Sequence, residues 1–355
     1  MIYLDYQATT PLAPEARAAM APWLAEDGFA NPHSPHRMGR AARAAVEVAR
    51  DQVASLLPPG GRVIFTGSAT EAINLAIQGS GARHVAASAI EHAAVLDTAR
   101  ACSTLSELPV DAEGLVAADT ALPAGADLVA VMQVNNEIGT IQPVDELAAR
   151  ARSAGALFLC DGVQGAGKLA RPEGADLIAL SAHKLYGPKG IGALWVRDGV
   201  QLRPLIHGGG QEAGLRSGTL SPALCAGFGA AAAVAAARMA DDAAYVGALW
   251  QAARGALARW TLNGSESQRW HGNLNLRLDG LDVARLMSEC RTVMFSAGSA
   301  CASGSGRPSH VLATLGLAPA AAKSSIRLGF GRYTVRDELV AACAALDAAA
   351  REQGC

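Results

Sequence analysis

One segment of the sequence combines side chains suited to amine chemistry. Residues 181–190 read SAHKLYGPKG, which places Lys184 beside His183 and directly after an apolar run. A lysine that is withdrawn from water can have a lowered pKa, which is what a lysine needs to form a Schiff base with a carbonyl group. An isolated lysine is more often a surface residue. On this segment alone, both interpretations stand.

A carboxylate occupies a similar position earlier in the chain. Residues 157–164 read LFLCDGVQ, so that Asp161 comes where an apolar run ends, 23 residues before Lys184. A buried carboxylate requires a cationic partner, and a protonated pyridine nitrogen is one such partner. An Asp that caps a helix explains this segment equally well.

A third segment has the features of an anion site. Residues 66–71 read TGSATE and lie between a predicted strand and a predicted helix. The free backbone N–H groups of a helix N-terminus, together with small residues and hydroxyls, can hold a phosphate. Ser68 or Thr70 could instead serve only as the N-cap of the helix.

The elements that must position these residues alternate along the first half of the chain. Short apolar runs predict strands at residues 63–66, 84–88, 128–134, 157–161, 177–181 and 193–196, and amphipathic patterns predict helices at 38–57, 71–78, 93–102 and 145–154. This alternation is typical of an α/β domain with a mostly parallel sheet. No helix separates 177–181 from 193–196, so these two strands form either an antiparallel hairpin or a distant pair.

The pattern changes after Pro222. An Ala-rich helix is predicted to about residue 260, then a strand at 273–278, a helix at 283–288, a Gly/Ser/Ala loop at 296–306, a helix at 308–315, a strand at 325–330 and a helix at 335–353. We place a domain boundary within the Ala-rich helix. The expected division is an N-terminal segment (1–12) that associates with the small domain, a large domain (13–245) and a small α+β domain (246–355).

Composition narrows the class of protein. Of 355 residues, 50% are hydrophobic and 17% are charged, and 30 basic against 32 acidic side chains give a net charge of −2. This balance predicts a globular protein that binds neither nucleic acid nor an anionic membrane surface. The seven cysteines include no CxxC pair, which disfavours a disulfide framework and a structural metal site. The first residues lack the pattern of a secretory signal, so we expect a cytoplasmic protein.

Ten strings of residues occur together in the order that one known family has. They are YLDYQATTP, NPHSPHRMG, FTGSATEAINLAI, EHAAVLDT, VNNEIGTIQP, CDGVQGAGK, SAHKLYGPKGIGAL, HGGGQEAGLRSGT, FSAGSACAS and SSIRLGFGR. Through them the chain resembles the cysteine desulfurases of the NifS/IscS-like group, in class V of the aminotransferase superfamily, over residues 2–332. The resemblance implies a fold-type I pyridoxal-phosphate (PLP) enzyme with a seven-stranded, mostly parallel sheet covered by helices and a small C-terminal domain.

The resemblance also implies roles for individual residues. Lys184 matches the lysine that holds PLP, Asp161 the partner of its ring nitrogen, Gln164 the residue bonded to its ring oxygen, and His92 the imidazole that stacks on the ring and transfers protons. Ala69, Thr70, Ser181 and His183 match phosphate ligands, and Thr219 matches a phosphate ligand donated by a second subunit. Asn136 and Arg327 match residues that hold the substrate carboxylate, and the match also places Asn136 at the cofactor. Cys301 matches the nucleophile that accepts sulfur.

These roles imply a homodimer that acts on L-cysteine, releases L-alanine and carries a persulfide on Cys301. A cysteine, unlike a serine, can accept a sulfur atom, and its thiolate is the attacking form. The persulfide would pass to an acceptor protein such as an iron–sulfur scaffold. Two other classes of function stay open at this point: a selenocysteine lyase or another class V aminotransferase-type enzyme, and a non-enzymatic sulfur-relay subunit.

Overall fold

The computed structural model describes residues 1–298 and 309–355. Cys301 and most of the predicted loop at 296–306 therefore lie outside the described residues. The helices are α1 (Pro14–Met20), α2 (Arg37–Ala54), α3 (Ala69–Ser80), α4 (Ala93–Cys102), α5 (Val144–Ser153), α6 (Pro222–Ala256), α7 (Val283–Glu289), α8 (His310–Thr314), α9 (Pro319–Lys323) and α10 (Arg336–Glu352).

A seven-stranded sheet forms the centre of the large part of the molecule. Its strands are β2 (Gly61–Thr66), β3 (His84–Ser88), β4 (Thr104–Leu108), β5 (Leu128–Ala130), β6 (Leu157–Asp161), β7 (Leu177–Ser181) and β8 (Gly192–Arg197). They lie in the order β2-β8-β7-β6-β5-β3-β4, and β8 is antiparallel to both of its neighbours. The predicted mostly parallel sheet is confirmed, and the strands at 177–181 and 192–197 are an antiparallel pair.

Helices cover both faces of this sheet, as its continuous apolar strands require. One core lies between the sheet and a layer that includes α2, α5 and the first part of α6, and it contains Phe65, Phe158 and Phe228. A second core lies between the opposite face and α3 and α4. Because both faces are covered, polar side chains can reach a cavity only at the ends of the strands.

The C-terminal part has its own sheet and core. Strands β9 (Thr261–Leu262), β10 (Asn273–Arg277), β12 (Ser296–Ala297) and β13 (Ser325–Gly329) form an antiparallel sheet in the order β12-β13-β10-β9. Its core includes Trp260, which is 1% exposed, and Leu residues of β10, β13 and α10. β1 (Ile2–Tyr3) pairs in parallel with β11 (Val293–Met294), which ties the chain's first residues to this part.

Helix α6 links the two parts. Its buried residues up to Ala232 belong to the core of the large sheet, and those from Val246 onward belong to the C-terminal core. Among the described residues it is the one helix whose length and composition would allow it to cross a membrane, but 44% of its most apolar stretch is buried inside the protein. It is the Ala-rich helix that the sequence predicts. The three-part division of the chain stays a prediction.

Elements that the sequence did not predict include α1, α9, β9 and β11, and three further differences concern the two sheets. The strand expected at 128–134 ends at Ala130, although Val131 N and Gln133 N still donate to Leu159 O and Asp161 O of β6. The chain turns back only after these residues, where Asn135 N donates to Thr140 O. β4 was not predicted, since its sequence TLSEL is short and polar at the edge of the sheet. Ser296 and Ala297, expected in a loop, pair with Arg327 and Ile326 of β13.

Candidate active site

A cavity of about 300 Å³ opens where the parallel strands end. In an open α/β sheet, ligands bind at the carboxyl ends of the strands. The residues that line the cavity come from the segments that follow β2, β3, β5, β6 and β7, from the N-terminal segment and from β13: Gln7, Ala8, Ser68, Ala69, Thr70, Ile73, His92, Ala94, Met132, Val134, Asn136, Asp161, Val163, Gln164, Ser181, His183, Lys184 and Arg327. The structure thus brings together ten of the twelve site residues that the sequence predicts.

Lys184 lies in a short 3₁₀ turn, Ala182–Lys184, directly after β7. Its ammonium donates hydrogen bonds to the backbone oxygens of Gln7 and Ala8, the latter at 2.7 Å. Tyr186, two residues further on, has a φ of +68°, a conformation that is strained for a non-glycine residue. Its N–H donates to Thr10 Oγ1 at 2.8 Å, and its hydroxyl accepts from Arg332 N at 2.9 Å. These contacts fix the turn that presents Lys184 to the cavity.

Asp161 is the last residue of β6 and is 6% exposed. Its Oδ1 accepts the Val163 N–H at 3.0 Å. Burial raises the pKa of Asp161, while electrostatic interactions with His92 and Lys184 and the hydrogen bond from the Val163 N–H oppose that rise. A buried carboxyl group of this kind is stabilised as an anion by a cation that lies against it in the cavity.

The N-terminus of α3 forms another part of the cavity wall. Ser68 is its N-cap, and its hydroxyl accepts the Glu71 N–H at 3.1 Å, so the N-cap interpretation of this segment is correct. Ser68, Ala69 and Thr70 nevertheless all line the cavity. Because α3 has 12 residues, the positive end of its dipole favours an anion here. The two interpretations of this segment are therefore compatible.

His183 and Ser181 line the same cavity from the end of β7. His183 Nδ1 lies 3.1 Å from Thr9 Oγ1. Burial and the positive charges of Lys184, Lys189 and Lys168 lower the pKa of His183 to about 4. The imidazole is therefore neutral near pH 7 and can donate a hydrogen bond to an anion without carrying charge itself.

His92 is the N-cap of α4, and its Nδ1 accepts the Ala94 N–H at 3.1 Å. This bond places the proton of the neutral ring on Nε2. The preceding residue, Glu91, is fully buried; its Oε1 accepts the Met132 N–H at 2.6 Å. Burial and the negative charge of Asp161 keep the pKa of Glu91 well above its usual range, against the opposing effect of the Met132 N–H. Its Oε2 has no hydrogen-bond partner within the described residues.

Asn136 and Arg327 lie together at another wall of the cavity. Arg327 Nη1 donates to the backbone oxygen of Asn136 at 3.1 Å, and Nη2 lies 2.7 Å from Asp5 Oδ1. The Arg327 side chain is 1% exposed, and its Nε has no hydrogen-bond partner among the described residues. A buried, unpaired donor of this kind is suited to a ligand carboxylate. Gln164, which is 4% exposed, donates through Nε2 to Gln7 O at 3.0 Å.

The two remaining predicted site residues are Thr219, which does not line the cavity, and Cys301. Thr219 is exposed, on the loop 207–220, and Cys301 lies outside the described residues. Six other cysteines are described, all as free thiols. Burial raises the pKa of Cys102 and of Cys290, and it raises the pKa of Cys225 and of Cys343 to about 12. Burial and nearby carboxylates together keep the pKa of Cys160 well above its usual range. In residues 1–298 and 309–355, no three His, Cys, Asp or Glu side chains are grouped as metal ligands would be.

Sequence reasoning did not assign roles to four residues that shape the site: Asp5, Gln7, Ala8 and Glu91. Gln7 and Ala8 act through backbone oxygens, which carry no signal in the residue type. Asp5 lies 322 positions from Arg327 in the chain, so its partner is visible only in the folded protein. Glu91 precedes His92 in the quoted string EHAAVLDT, and its burial could have been expected from its position after an apolar strand.

Comparisons with known proteins agree with this architecture. Residues 2–341 match the family model of the class-V aminotransferases, and the chain belongs to that family, within its cysteine desulfurases. The cysteine desulfurase IscS of Rickettsia akari is 41% identical over 95% of this chain and 88% of its own length. These enzymes depend on PLP.

Solved structures that resemble this chain include proteins described as NifS-like. A structure described as a NifS-like protein has a TM-score of 0.90 and 28% identity, and covers 99% of both chains. Another, described as SspA in complex with cysteine, has a TM-score of 0.81 and 34% identity over 94% of this chain and all of its own. The predicted fold type is therefore confirmed.

Proposed function

We propose that this chain removes sulfur from L-cysteine at the described cavity, releases L-alanine and retains the sulfur as a persulfide on Cys301. The observation that carries the proposal is the convergence of Lys184, Asp161 and His92, which come from three different strand ends, on one cavity. Arg327 also lines this cavity, and its buried Nε has no hydrogen-bond partner among the described residues. The family membership supports the reaction, and the geometry supports the division of roles.

The residues of the cavity fit PLP. Asp161 is a buried carboxyl group that a pyridinium nitrogen would neutralise, and the N-terminus of α3 with Ser181 and His183 offers donors to a phosphate. Lys184 supplies the amine that binds the cofactor's aldehyde, and Gln164 an amide that can donate to the ring oxygen. When bound, PLP withdraws electrons from the carbon next to the substrate amine.

The substrate carboxylate is held by Arg327 and Asn136. Arg327 Nε provides a buried donor, while Nη1 and Nη2 are held by Asn136 O and Asp5 and so fix the plane of the guanidinium. A planar, prealigned guanidinium matches a carboxylate better than an ammonium would. The same contacts keep Arg327 oriented before substrate binds.

Proton transfer is assigned to Lys184 and His92. The Lys184 amine is the base that would take the proton from the substrate α carbon. His92, with the proton of its neutral ring on Nε2, can donate a proton at that atom. Its Nδ1 is held by the Ala94 N–H, so its orientation is fixed by the start of α4.

Sulfur transfer is assigned to Cys301. Its thiolate attacks the substrate sulfur, a sulfur–sulfur bond forms, and the carbon–sulfur bond breaks with its electron pair left on carbon, where a proton completes alanine. The raised pKa values of five of the described cysteines disfavour them as nucleophiles, because only the thiolate attacks.

The same proposal includes the oligomeric state, the cellular location and the sulfur acceptor of the protein. The working protein is a homodimer in which Thr219 completes the phosphate site of the partner, it acts in the cytoplasm, and the persulfide passes to an acceptor protein such as an iron–sulfur scaffold. The exposure of Thr219 on a loop that is fixed at other points supports the first of these.

The test is a single turnover of the PLP-loaded enzyme with L-cysteine. We expect one alanine for each persulfide, and mass spectrometry should locate the persulfide on Cys301. Cys301→Ser should keep the visible absorption of the bound cofactor and its change on adding cysteine, but form no persulfide, because a hydroxyl cannot carry the sulfur. Cys290→Ser is the matched control and should react normally. A persulfide on another cysteine, with activity kept in Cys301→Ser, would refute the assignment.

A further inference from the structure

Helix α8 begins nine residues after Cys301 in the sequence. It packs on the two loops that contain His92 and Asn136. A small apolar cluster forms this contact: Ile90, Ile138, Val311, Leu312 and Leu315, all at most 7% exposed. Ile90 lies two residues before His92, and Ile138 lies two residues after Asn136. The cluster is separate from the three larger cores of the molecule.

Two polar contacts reinforce the packing at the first turn of α8. The Ser309 hydroxyl donates to Glu137 Oε2 at 2.5 Å, and His310 Nε2 donates to the backbone oxygen of Glu91 at 3.0 Å. Each contact reaches one of the two loops, at the residue adjacent to Asn136 or to His92. The start of α8 is therefore fixed to both loops at once.

Ser309 has two functions in this contact. It is the N-cap of α8, where its Oγ accepts the Leu312 N–H at 3.0 Å, and it donates its own proton to Glu137. A five-residue helix has little stability of its own, so its position depends on contacts such as these. Ser309 is 6% exposed and Glu137 is 3% exposed, which shields their hydrogen bond from water.

Glu137 is itself rigidly held. Its N–H donates to Asn135 Oδ1 at 2.8 Å, and its backbone oxygen accepts from Asn273 Nδ2 at 3.1 Å and from Asn275 Nδ2 at 3.0 Å. Asn273 and Asn275 belong to β10, the neighbour of the strand that carries Arg327. Glu137 is therefore a fixed acceptor between the C-terminal sheet and α8.

We propose that Ser309 and Glu137 are positioning residues for sulfur transfer, because their hydrogen bond fixes the start of α8, the first described element after Cys301 in the chain, against the loops that carry His92 and Asn136. This inference rests on the proposed role of Cys301. Neither residue lines the cavity, so their replacement should affect delivery of the thiol and leave cofactor and substrate binding unchanged.

The decisive variant is Ser309→Asp in the PLP-loaded enzyme. Aspartate is as good an N-cap as serine, so the helix start is preserved, but a carboxylate has no proton to donate to Glu137. We expect the single-turnover rate of persulfide formation on Cys301 to fall by about ten-fold or more. The cofactor absorption and its change on adding L-cysteine should match the wild type. Ser288→Asp, at an exposed position on α7, is the matched control and should behave as the wild type.

A second substitution distinguishes positioning from a general structural defect. In the double variant Ser309→Asp/Glu137→Gln, the new amide at position 137 can donate to the carboxylate introduced at position 309. We expect this pair to recover persulfide formation to within about three-fold of the wild type. Glu137→Asp, which withdraws the acceptor by one methylene, should slow persulfide formation in the same way as Ser309→Asp and serves if that variant does not fold.

The outcomes separate this inference from the proposed function. A wild-type enzyme that forms no persulfide on Cys301 would refute the proposed function itself. If the wild type forms it and Ser309→Asp forms it equally fast, or if the double variant is as slow as Ser309→Asp, the positioning role is wrong while the function stands.

Discussion

The guanidinium of Arg216 lies against the carboxylate of Glu71, with Nε 2.8 Å from Oε1. Glu71 is in the first turn of α3, and its Oε2 also accepts the Gly67 N–H at 2.7 Å. Glu212 anchors the same loop a second time, since its carboxylate pairs with Arg50 at 2.7 Å and accepts the Phe65 N–H. The loop 207–220 is thus fixed beside the phosphate end of its own cavity, while Thr219 is exposed and does not line that cavity.

This arrangement leads to a prediction about the dimer. Thr219→Ala should weaken PLP binding by about 1.5–3 kcal/mol, the contribution of one hydrogen bond to a charged group, or roughly ten- to hundred-fold. Mixed dimers of Lys184→Ala and Thr219→Ala subunits test whether the hydroxyl acts across the interface. If it does, one site has both defects and the other is intact. We expect half of the wild-type turnover, with wild-type cofactor affinity at the working site.

Two results would count against that prediction. A fully active monomer in sedimentation experiments would exclude an essential residue from a second subunit. Cofactor affinity in the mixed dimer no better than in the Thr219→Ala homodimer would show that Thr219 acts within its own chain.

Lys184→Ala should abolish turnover and the visible absorption of the lysine-bound cofactor. Lys168, which comes from a neighbouring segment and whose pKa burial lowers to about 7, is the nearby amine that could substitute, but it does not line the cavity. Borohydride reduction of the PLP-loaded wild type followed by peptide mapping should locate the cofactor on Lys184. Lys189→Ala, an exposed lysine on the same segment, is the control and should retain the absorption. Normal alanine production by Lys184→Ala would refute the site assignment.

The neutral state of His183 predicts a pH dependence of stability. Because its pKa is about 4 in the folded protein and higher in the unfolded chain, the unfolded state takes up a proton first as the pH falls. The free energy of unfolding of cofactor-free protein should therefore decrease from about pH 6.5 towards pH 4. Urea denaturation at several pH values should reveal this slope.

Two comparisons test the cause of that slope. His183→Gln should reduce it, whereas His33→Gln, at an exposed loop position, should leave it unchanged. Added PLP should also reduce it, because a bound phosphate stabilises the protonated imidazole. An identical slope in His183→Gln would mean that other groups cause it.

Tyr186→Phe should destabilise the protein by about 1–3 kcal/mol, because it leaves the Arg332 N–H without its acceptor. Tyr186 is 7% exposed and its ring also lies 4.5 Å from the Arg332 guanidinium carbon, so water cannot easily replace the hydroxyl. Tyr245→Phe is the control: that ring is 41% exposed, and a smaller loss is expected. Equal unfolding midpoints in urea for Tyr186→Phe and the wild type would contradict the role of this hydroxyl.

Much of the site was determined by local sequence. Lys184, Asp161 and Ala69 each follow an apolar strand, and the alternation of strands and helices is enough to predict that parallel strands place these residues at one edge of a sheet. The strands at His84–Ser88, Leu157–Asp161 and Leu177–Ser181 and the helix at Ala93–Cys102 agree with prediction residue for residue, because their apolar patterns are strong and their ends have clear polar or turn residues.

Other features were decided only by the tertiary structure. The backbone oxygens of Gln7 and Ala8 hold the Lys184 ammonium, and a backbone oxygen is the same in every residue type. Asp5 and Arg327 are hydrogen-bonded although they lie 322 positions apart in the chain, and Ser309 and Glu137 are hydrogen-bonded although they lie 172 positions apart. Such pairs depend on how separate elements pack, which periodicity and capping signals do not encode. Local patterns therefore determined which residues reach the end of the sheet, and packing between distant segments determined how those residues are held there.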